Sequence, residues 1–306
     1  GATTLSTQVD IDGHTNIYAR GKDISSVFEK GQLGGFFDVR SDIETNSLHD
    51  LRKLIASISN ETNIIHRAGY GLDGSTGNDF FNELQIYSSD DSSAGYVSSA
   101  TVSDAAVLTL DEYDINFTDS STYDIINHTT GETVAVGQTY SAGSTITLID
   151  GIDVFIDGAP AAGDSFLISP LTDVIENFGV AISSSETDKI AASDTDVSLT
   201  GERGNNVNAQ AIVQLHQSGI SDLSSATYDE YYQGIVSDVG IMSKTAMDSL
   251  TYDDNLRYEL EKKRDAVSGV SLDEEAANLI RYQRMYEAGA KIIKVTDELM
   301  EMIINL

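Results

Sequence analysis

The sequence predicts an α+β protein: a body of long, coiled-coil-like helices into which an acidic antiparallel β domain is inserted. The first observation is electrostatic. The 306 residues carry 49 acidic and 18 basic side chains, a net charge of −31, yet no Lys or Arg lies between Arg67 and Lys189. Residues 72–200 hold 22 of the acids against the single Lys189, so this block alone carries −21. The second observation is textural, because short alternating apolar runs separated by Gly, Asn, Asp and Ser fill the same block. The third is that apolar residues on both sides of it recur every three or four positions, the spacing of a helix face.

Taken in order, residues 1–29 contain one alternating run, Thr7–Ile11, and read as the end of an outer β region. Residues 30–71 read as a long helix: Leu48, Leu51, Ile55, Ile58 and Ile65 share a face, and the helix is expected to stop near Gly69. Residues 72–175 form the inserted β domain, with strands expected at Asp114–Thr118, Tyr123–Asn127, Thr133–Val136, Thr145–Ile149, Ile152–Ile156 and Ser165–Ile168. The Ser-rich stretch Ser88–Ser103 reads as a loop or linker leading into that domain. Residues 176–270 return to the helical body, with helical periodicity over 207–218 and 229–266.

The last segment, residues 271–306, carries the strongest local signal. Ser271 and Glu274 have the spacing of a capping box, in which a hydroxyl and a carboxylate reciprocally satisfy the first free amides of a helix. On a seven-residue repeat, Leu272, Leu279, Tyr286, Ile293 and Met300 form one line, with Met285, Ile292, Leu299 and Leu306 beside it. Such a face is wider than a two-stranded seam requires. With nothing later in the given sequence to cover it, its expected partner is an earlier segment, another subunit, or both. Leu272, Ala276, Leu279, Tyr286, Ala290, Ile293, Met300 and Ile304 are the candidate interface residues. Gly289, on the same side, permits close backbone approach at a cost of about 1 kcal/mol against Ala.

Composition excludes several functions. A chain this acidic repels phosphate backbones, which argues against nucleic-acid binding. The absence of Cys removes disulfides, thiolate metal sites and cysteine nucleophiles. No run reaches the roughly 18 apolar residues of a membrane span, and no signal-peptide pattern is present. Gly69-Tyr-Gly-Leu-Asp-Gly74 matches G-x-G-x-x-G in letters, but it ends a helix instead of following a strand, so a helix stop and turn is the better reading. His14, His49, His66, His128 and His216 lack metal-ligand spacing and read as solvated or locally bonded. The run Asp73–Asp79 is oxygen-rich but lacks the order of an EF-hand loop. Acidic pairs such as Asp90-Asp91 and Asp111-Glu112 carry the residue types of a glycosidase, but pairs arise by chance among so many acids.

The run from Ser268 to Ala288, SGVSLDEEAANLIRYQRMYEA, followed by Thr296-Asp-Glu-Leu299 and Ile304-Asn-Leu306, resembles the C-terminal signature of bacterial flagellar axial proteins. The Gly269–Glu275 opening is closest to the hook-associated protein 1 family. Gly31-Gln-Leu-Gly-Gly35, His66-Arg-Ala-Gly-Tyr70, Asp79-Phe-Phe81, Gly158–Phe166, Gly204–Ala209 and Val236–Gly240 support the narrower match. The resemblance implies a non-enzymatic structural subunit without cofactor or metal at the hook–filament junction. It implies paired terminal helices in the inner tube and β domains projecting outward, with the amino-terminal helical half absent from this chain. It further implies as partners the hook protein, the second junction protein, copies of itself in a ring, and an export chaperone on the C-terminal helix. The expected location is extracellular, reached by export without a cleavable signal. The alternatives are a hook or rod protein, and an extracellular acidic β module that binds Ca²⁺ or carbohydrate.

Overall fold

The computed structural model describes residues 4–9, 14–91, 94–201, 203–268 and 272–305. The chain divides into two units, Gly1–Val239 and Gly240–Leu306.

In the first unit, β1 (Leu5–Val9), β2 (Thr15–Ala19) and β3 (Lys22–Asp23) form a small antiparallel sheet. The strand predicted at Thr7–Ile11 is thus observed earlier, and Asp10 and Ile11 lie outside the described residues. Helix α1 (Gly31–Asp42) follows. Its Arg40 donates to the Thr15 carbonyl and the Asn16 side chain, both at 3.3 Å, and lies over the Phe37 ring.

The single long helix expected over 30–71 is interrupted. A π-helical turn at Ile43–Leu48 separates α1 from α2 (His49–Ala68). The run Ile43-Glu-Thr-Asn-Ser47 is poor in strong helix formers, and the Asn46 side-chain amide donates to the Asp42 carboxylate at 2.7 Å across the turn. Helix α2 stops at Gly69, as its sequence predicts.

The β domain has two sheets, both antiparallel. Its strands are β4 (Tyr87–Asp91), β5 (Gly95–Val102), β6 (Tyr113–Phe117), β7 (Thr122–Asn127), β8 (Thr133–Thr139), β9 (Thr145–Thr147), β10 (Ile152–Gly158) and β11 (Ser165–Ser169). One sheet has the order β4-β11-β6-β7-β8 and the other β5-β10-β9. The six predicted strands are present, each shifted or resized at its ends. The stretch Ser88–Ser103, however, is not a linker: it supplies β4 and β5. The alternation of β5 is broken by a bulge opposite Phe155/Ile156, so Val97, Ala100 and Val102 turn inward at uneven spacing.

Inward side chains of both sheets, including Tyr113, Ile115, Phe166, Ile152, Val154 and Ile156, share one core. Phe117 sits within it, 5.0 Å from the Tyr140 ring and 5.8 Å from that of Phe166. Fully burying each large side chain contributes about 1.5–3 kcal/mol. Helix α2 joins this core through Ala56 and Ile55. On another side, its Leu54 packs with Ile220 and Leu223 in a second, smaller core.

After β11 come α3 (Val174–Asn177), α4 (Val197–Thr200), α5 (Val207–Leu215) and α6 (Tyr228–Ser268), joined by irregular chain and by 3-10 turns at Thr187–Lys189 and Ser221–Leu223. Helix α6 runs from the first unit into the second, which also contains α7 (Leu272–Ile304). Residues 269–271 are outside the described residues, and so is the expected capping hydroxyl of Ser271.

Candidate functional site

Two surfaces stand out: a buried polar joint in the first unit and an exposed apolar helix in the second.

The joint is the neck through which the chain leaves α2 for the β domain and returns. The two passing segments bridge at Phe81 and Val180, and the Asn82 amide donates to the Gly179 carbonyl at 2.8 Å. Helix α2 holds both segments with a polar stripe. The Asn63 side-chain oxygen accepts the Phe80 and Phe81 amides at 3.0 and 2.9 Å, while its nitrogen donates to the Phe81 carbonyl at 3.0 Å. One side chain therefore fixes the outgoing segment at three points. His66 spans both segments: its Nδ1 lies 2.6 Å from the Asn78 carbonyl, and its Nε2 accepts the Ala191 amide at 2.9 Å. One helical turn away, Asn60 donates to the Ala105 carbonyl at 3.1 Å. All three side chains belong to buried residues, where an unpaired polar atom would be costly, and their pairing meets that requirement.

Arg67 closes the rim, donating to Asp79 at 2.9 Å with Glu83 at 3.8 Å. The Asp79 hydrogen bond holds the guanidinium above its ordinary range, although burial acts against it. The glycines of the G-x-G-x-x-G run serve this packing. A Cβ at Gly69 would lie 2.9 Å from the Ser193 carbonyl oxygen and still closer to the Asn208 amide, and one at Gly71 would lie 2.5 Å from the Asp188 carbonyl oxygen. In the oxygen-rich loop that follows, Asp73 accepts the Ser75 amide and hydroxyl, which hold its carboxyl below the usual range.

Two elements secure the other end of α2. Lys53 lies 3.7 Å from Asp111 and His49 lies 3.9 Å from Glu112, while the Tyr231 hydroxyl donates to Asp50 at 2.9 Å. The acidic pair Asp111-Glu112 thus meets the basic side chains of α2. Asp150, in the turn between β9 and β10, is buried, and desolvation pushes its carboxyl up to about 6. A shallow open groove beside the neck is lined by Asn82, Glu83, Gln85, Tyr87, Asp173 and Asn177.

The second surface is α7. Leu279, Tyr286, Ile293, Met300 and Ile304 are all more than half exposed, Tyr286 at 80%. Met285, Ile292, Leu299, Met302 and Ile303 are exposed beside them, as are Ala276 and Ala290. The side chain of Leu272, at the helix start, lies outside the described residues, as does Leu306. The structure therefore places the candidate residues on one continuous helix. The neck residues Asn60 and Asn63, by contrast, belong to no spaced motif in the sequence. Their signal is a stripe of small and polar residues, Ser57, Ser59, Asn60, Thr62, Asn63 and His66, on a helix whose other residues supply an apolar face. No helix among the described residues is long and apolar enough to cross a membrane.

Residues 1–81 match the family described as the flagellar hook-associated protein FlgK helical domain. Residues 264–306 match the flagellar basal body rod FlgEFG protein C-terminal family. Flagellar hook-associated protein 1 of Salmonella typhimurium is 30% identical over 282 residues, covering 90% of this chain and 50% of the relative. Its counterpart from Escherichia coli is 29% identical over 279 residues, covering 90% and 49%, and that of Bacillus subtilis 24% over 262 residues, covering 84% and 47%. The chain spans about half the length of these curated relatives. Among solved structures, the flagellar hook junction protein FlgK from Burkholderia pseudomallei aligns with a TM-score of 0.50 at 21% identity, covering 62% of this chain and 37% of that one. The last match supports the fold alone. The terminal match is to a rod-protein family, whereas the match over residues 1–81 is to the hook-associated family, in accord with the narrower resemblance read from the sequence.

Proposed function

We propose that this chain, a relative of flagellar hook-associated protein 1, is part of a non-catalytic structural subunit that joins the flagellar hook to the filament. The observation that carries this reading is the unbroken apolar face of α7 from Leu279 to Ile304, exposed on a chain that matches hook-associated protein 1 over 90% of its length. A face of this kind gains free energy only when another surface covers it, at about 1.5–3 kcal/mol for each large side chain fully buried. Its occupants on this reading are the terminal helices of neighbouring axial subunits: copies of the same protein in a ring, the hook protein and the second junction protein. Before export, a chaperone covers the same face and keeps it from aggregating. The residues that make these contacts are Leu272, Ala276, Leu279, Tyr286, Ala290, Ile293, Met300 and Ile304. The location is extracellular, on the flagellar axis, reached through the flagellar export route without a cleavable signal.

The domain reading follows from the same proposal. Residues 1–29 close an outer β region, 30–71 and 176–270 form the helical body, 72–175 are the inserted β domain and 271–306 the assembly helix. The acidic β domain faces solvent, because surfaces this uniformly charged repel their own copies.

The test replaces Leu279, Tyr286 and Ile293 together by Ala in the full-length protein, which keeps helix propensity while removing the face. Loss of swimming, with filament subunits secreted into the medium instead of polymerised, is the expected result. Normal filaments and unchanged chaperone capture would refute the proposal.

A further inference from the structure

We infer that the outer face of the β5-β10-β9 sheet docks an arginine-bearing segment of another protein, which lies extended along β10 with a guanidinium stacked on Phe155 between Asp153 and Asp157. The face follows from register. Ile152, Val154 and Ile156 point into the core, so Asp153, Phe155 and Asp157 point outward from the central strand. Cross-strand partners share a face, which puts Ser99 and Tyr96 of β5 and Thr147 and Thr145 of β9 on the same side. The bulge decides the place of Tyr96. The pairing steps from Ser99 opposite Phe155 to Val97 opposite Ile156, leaving Ser98 as the extra residue, whose hydroxyl donates to the Phe155 carbonyl at 3.2 Å. Without that residue Val97 would oppose Asp157 on the outside and Tyr96 would turn inward.

The result is an aromatic and acidic surface open to solvent. Phe155 is 37% exposed and Tyr96, opposite Asp157, 52%. The ring of Phe155 is uncovered because its neighbours across both strands are the small side chains of Ser99 and Thr145, themselves exposed. Asp153 and Asp157 stand two residues to either side of it, roughly 7 Å away along the strand. The Thr147 hydroxyl donates to Asp153 at 2.7 Å and fixes that carboxylate on the face.

A guanidinium meets each of these groups. A ring face attracts a cation within about 6 Å of its centre. Arginine suits the place better than lysine, because its planar group stacks on a ring while its edge N–H groups donate to carboxylates. An extended segment presents every second side chain at the spacing of Asp153, Phe155 and Asp157, so it matches the strand beneath it. Charge selects the occupant. No Lys or Arg lies between Arg67 and Lys189, and the one histidine of the β domain, His128, is held by Asp114 of the other sheet at 2.7 Å. The domain therefore brings no cation of its own to this face. Polyanions and further copies of the domain are repelled, and a neutral saccharide would gain from the ring but nothing from the field.

Titration of the ¹⁵N-labelled whole chain with a blocked peptide of alternating arginine and threonine tests the inference, at about 0.1 M salt, where fields between exposed charges fall off over about 10 Å. The expected result is that the amides of Ser99, Thr145 and Phe155 shift while that of Asp124, on the other sheet, does not. Phe155→Ser should weaken binding about twofold to fivefold, whereas Phe155→Tyr, which keeps the ring, should bind as the wild type does. Asp153→Asn with Asp157→Asn should weaken it about fivefold. Glu132→Gln with Glu176→Gln, which removes the same charge from exposed positions elsewhere in the acidic block, should weaken it less than about twofold. Shifts scattered over both sheets, equal weakening by the two double variants, or no shift at millimolar peptide would overturn the inference. So would a peptide of alternating lysine and threonine, or maltohexaose, that binds these rings as tightly.

Discussion

The neck and the terminal helix invert each other. At the neck, amides, an imidazole and a guanidinium are drawn inside a helix-to-domain joint, whereas α7 turns leucines, isoleucines, methionines and tyrosines outward. The difference shows what completeness means in each case. A buried polar group is stable only when every donor and acceptor is matched, and His66 and Asn63 find their matches within the same chain. An exposed apolar face has no such local match and gains free energy only when another surface covers it. The neck is therefore finished by folding and, on the proposed function, the terminal helix by assembly.

Four variants probe that contrast. Asn63→Ala should have the largest effect on the fold, since it strands the Phe80 and Phe81 amides. At about 1–3 kcal/mol for each unpaired buried group, the loss should be roughly 3–5 kcal/mol in urea unfolding. A loss below about 1 kcal/mol would mean that the neck is already hydrated. Asp150→Asn separates a buried charge from a matched polar joint. The folded pKa of about 6 lies above the ordinary 3.8, so ionisation opposes folding above pH 6, and this penalty vanishes below pH 4, where the group is protonated in both states. The variant should be roughly 2–3 kcal/mol more stable at pH 8 and nearly unchanged at pH 4; equal gains at both would assign the effect to packing instead of charge. Gly71→Ala places a methyl group against the Asp188 carbonyl and should cost about 1–3 kcal/mol by overpacking, read from the shift in thermal midpoint. The triple change of Leu279, Tyr286 and Ile293 to Ala should shift unfolding of the isolated chain by less than about 0.5 kcal/mol, although on the proposed function it should abolish junction assembly. A large destabilisation of the chain alone would show that α7 is already covered, and the contrast would collapse.

Much of the first half of this comparison was hidden in the sequence, and nearly all of the second was visible. The face of α7 is periodic, so heptad spacing located it directly. The β domain announced itself through an absence of Lys and Arg and through strands whose alternation survived, as in Tyr113–Phe117. Where alternation failed, so did the reading: the bulge in β5 hides Val97 and Ala100 among serines. The π turn at Ile43–Leu48 was missed because a wider helical turn leaves the apolar spacing nearly intact. Asn63 and His66 were beyond reach for another reason. Their partners are backbone amides 17 and 125 residues away, and a backbone amide has no side-chain identity for a pattern to detect.

The pairing of Asn82 with Gly179 has a consequence for how such a protein can vary. Because the chain departs and returns at one point, everything between these residues is a single closed loop as seen from α2. The entropy of closing a loop grows only with the logarithm of its length, about 0.6 kcal/mol for each doubling. The closure entropy therefore depends only weakly on whether that loop is a short turn or a folded domain of two sheets, although the domain also supplies α2 with the packing of Ala56 and Ile55 and the Lys53–Asp111 pair. Lineages could enlarge, trim or replace the excursion while the joint at its base stayed the same.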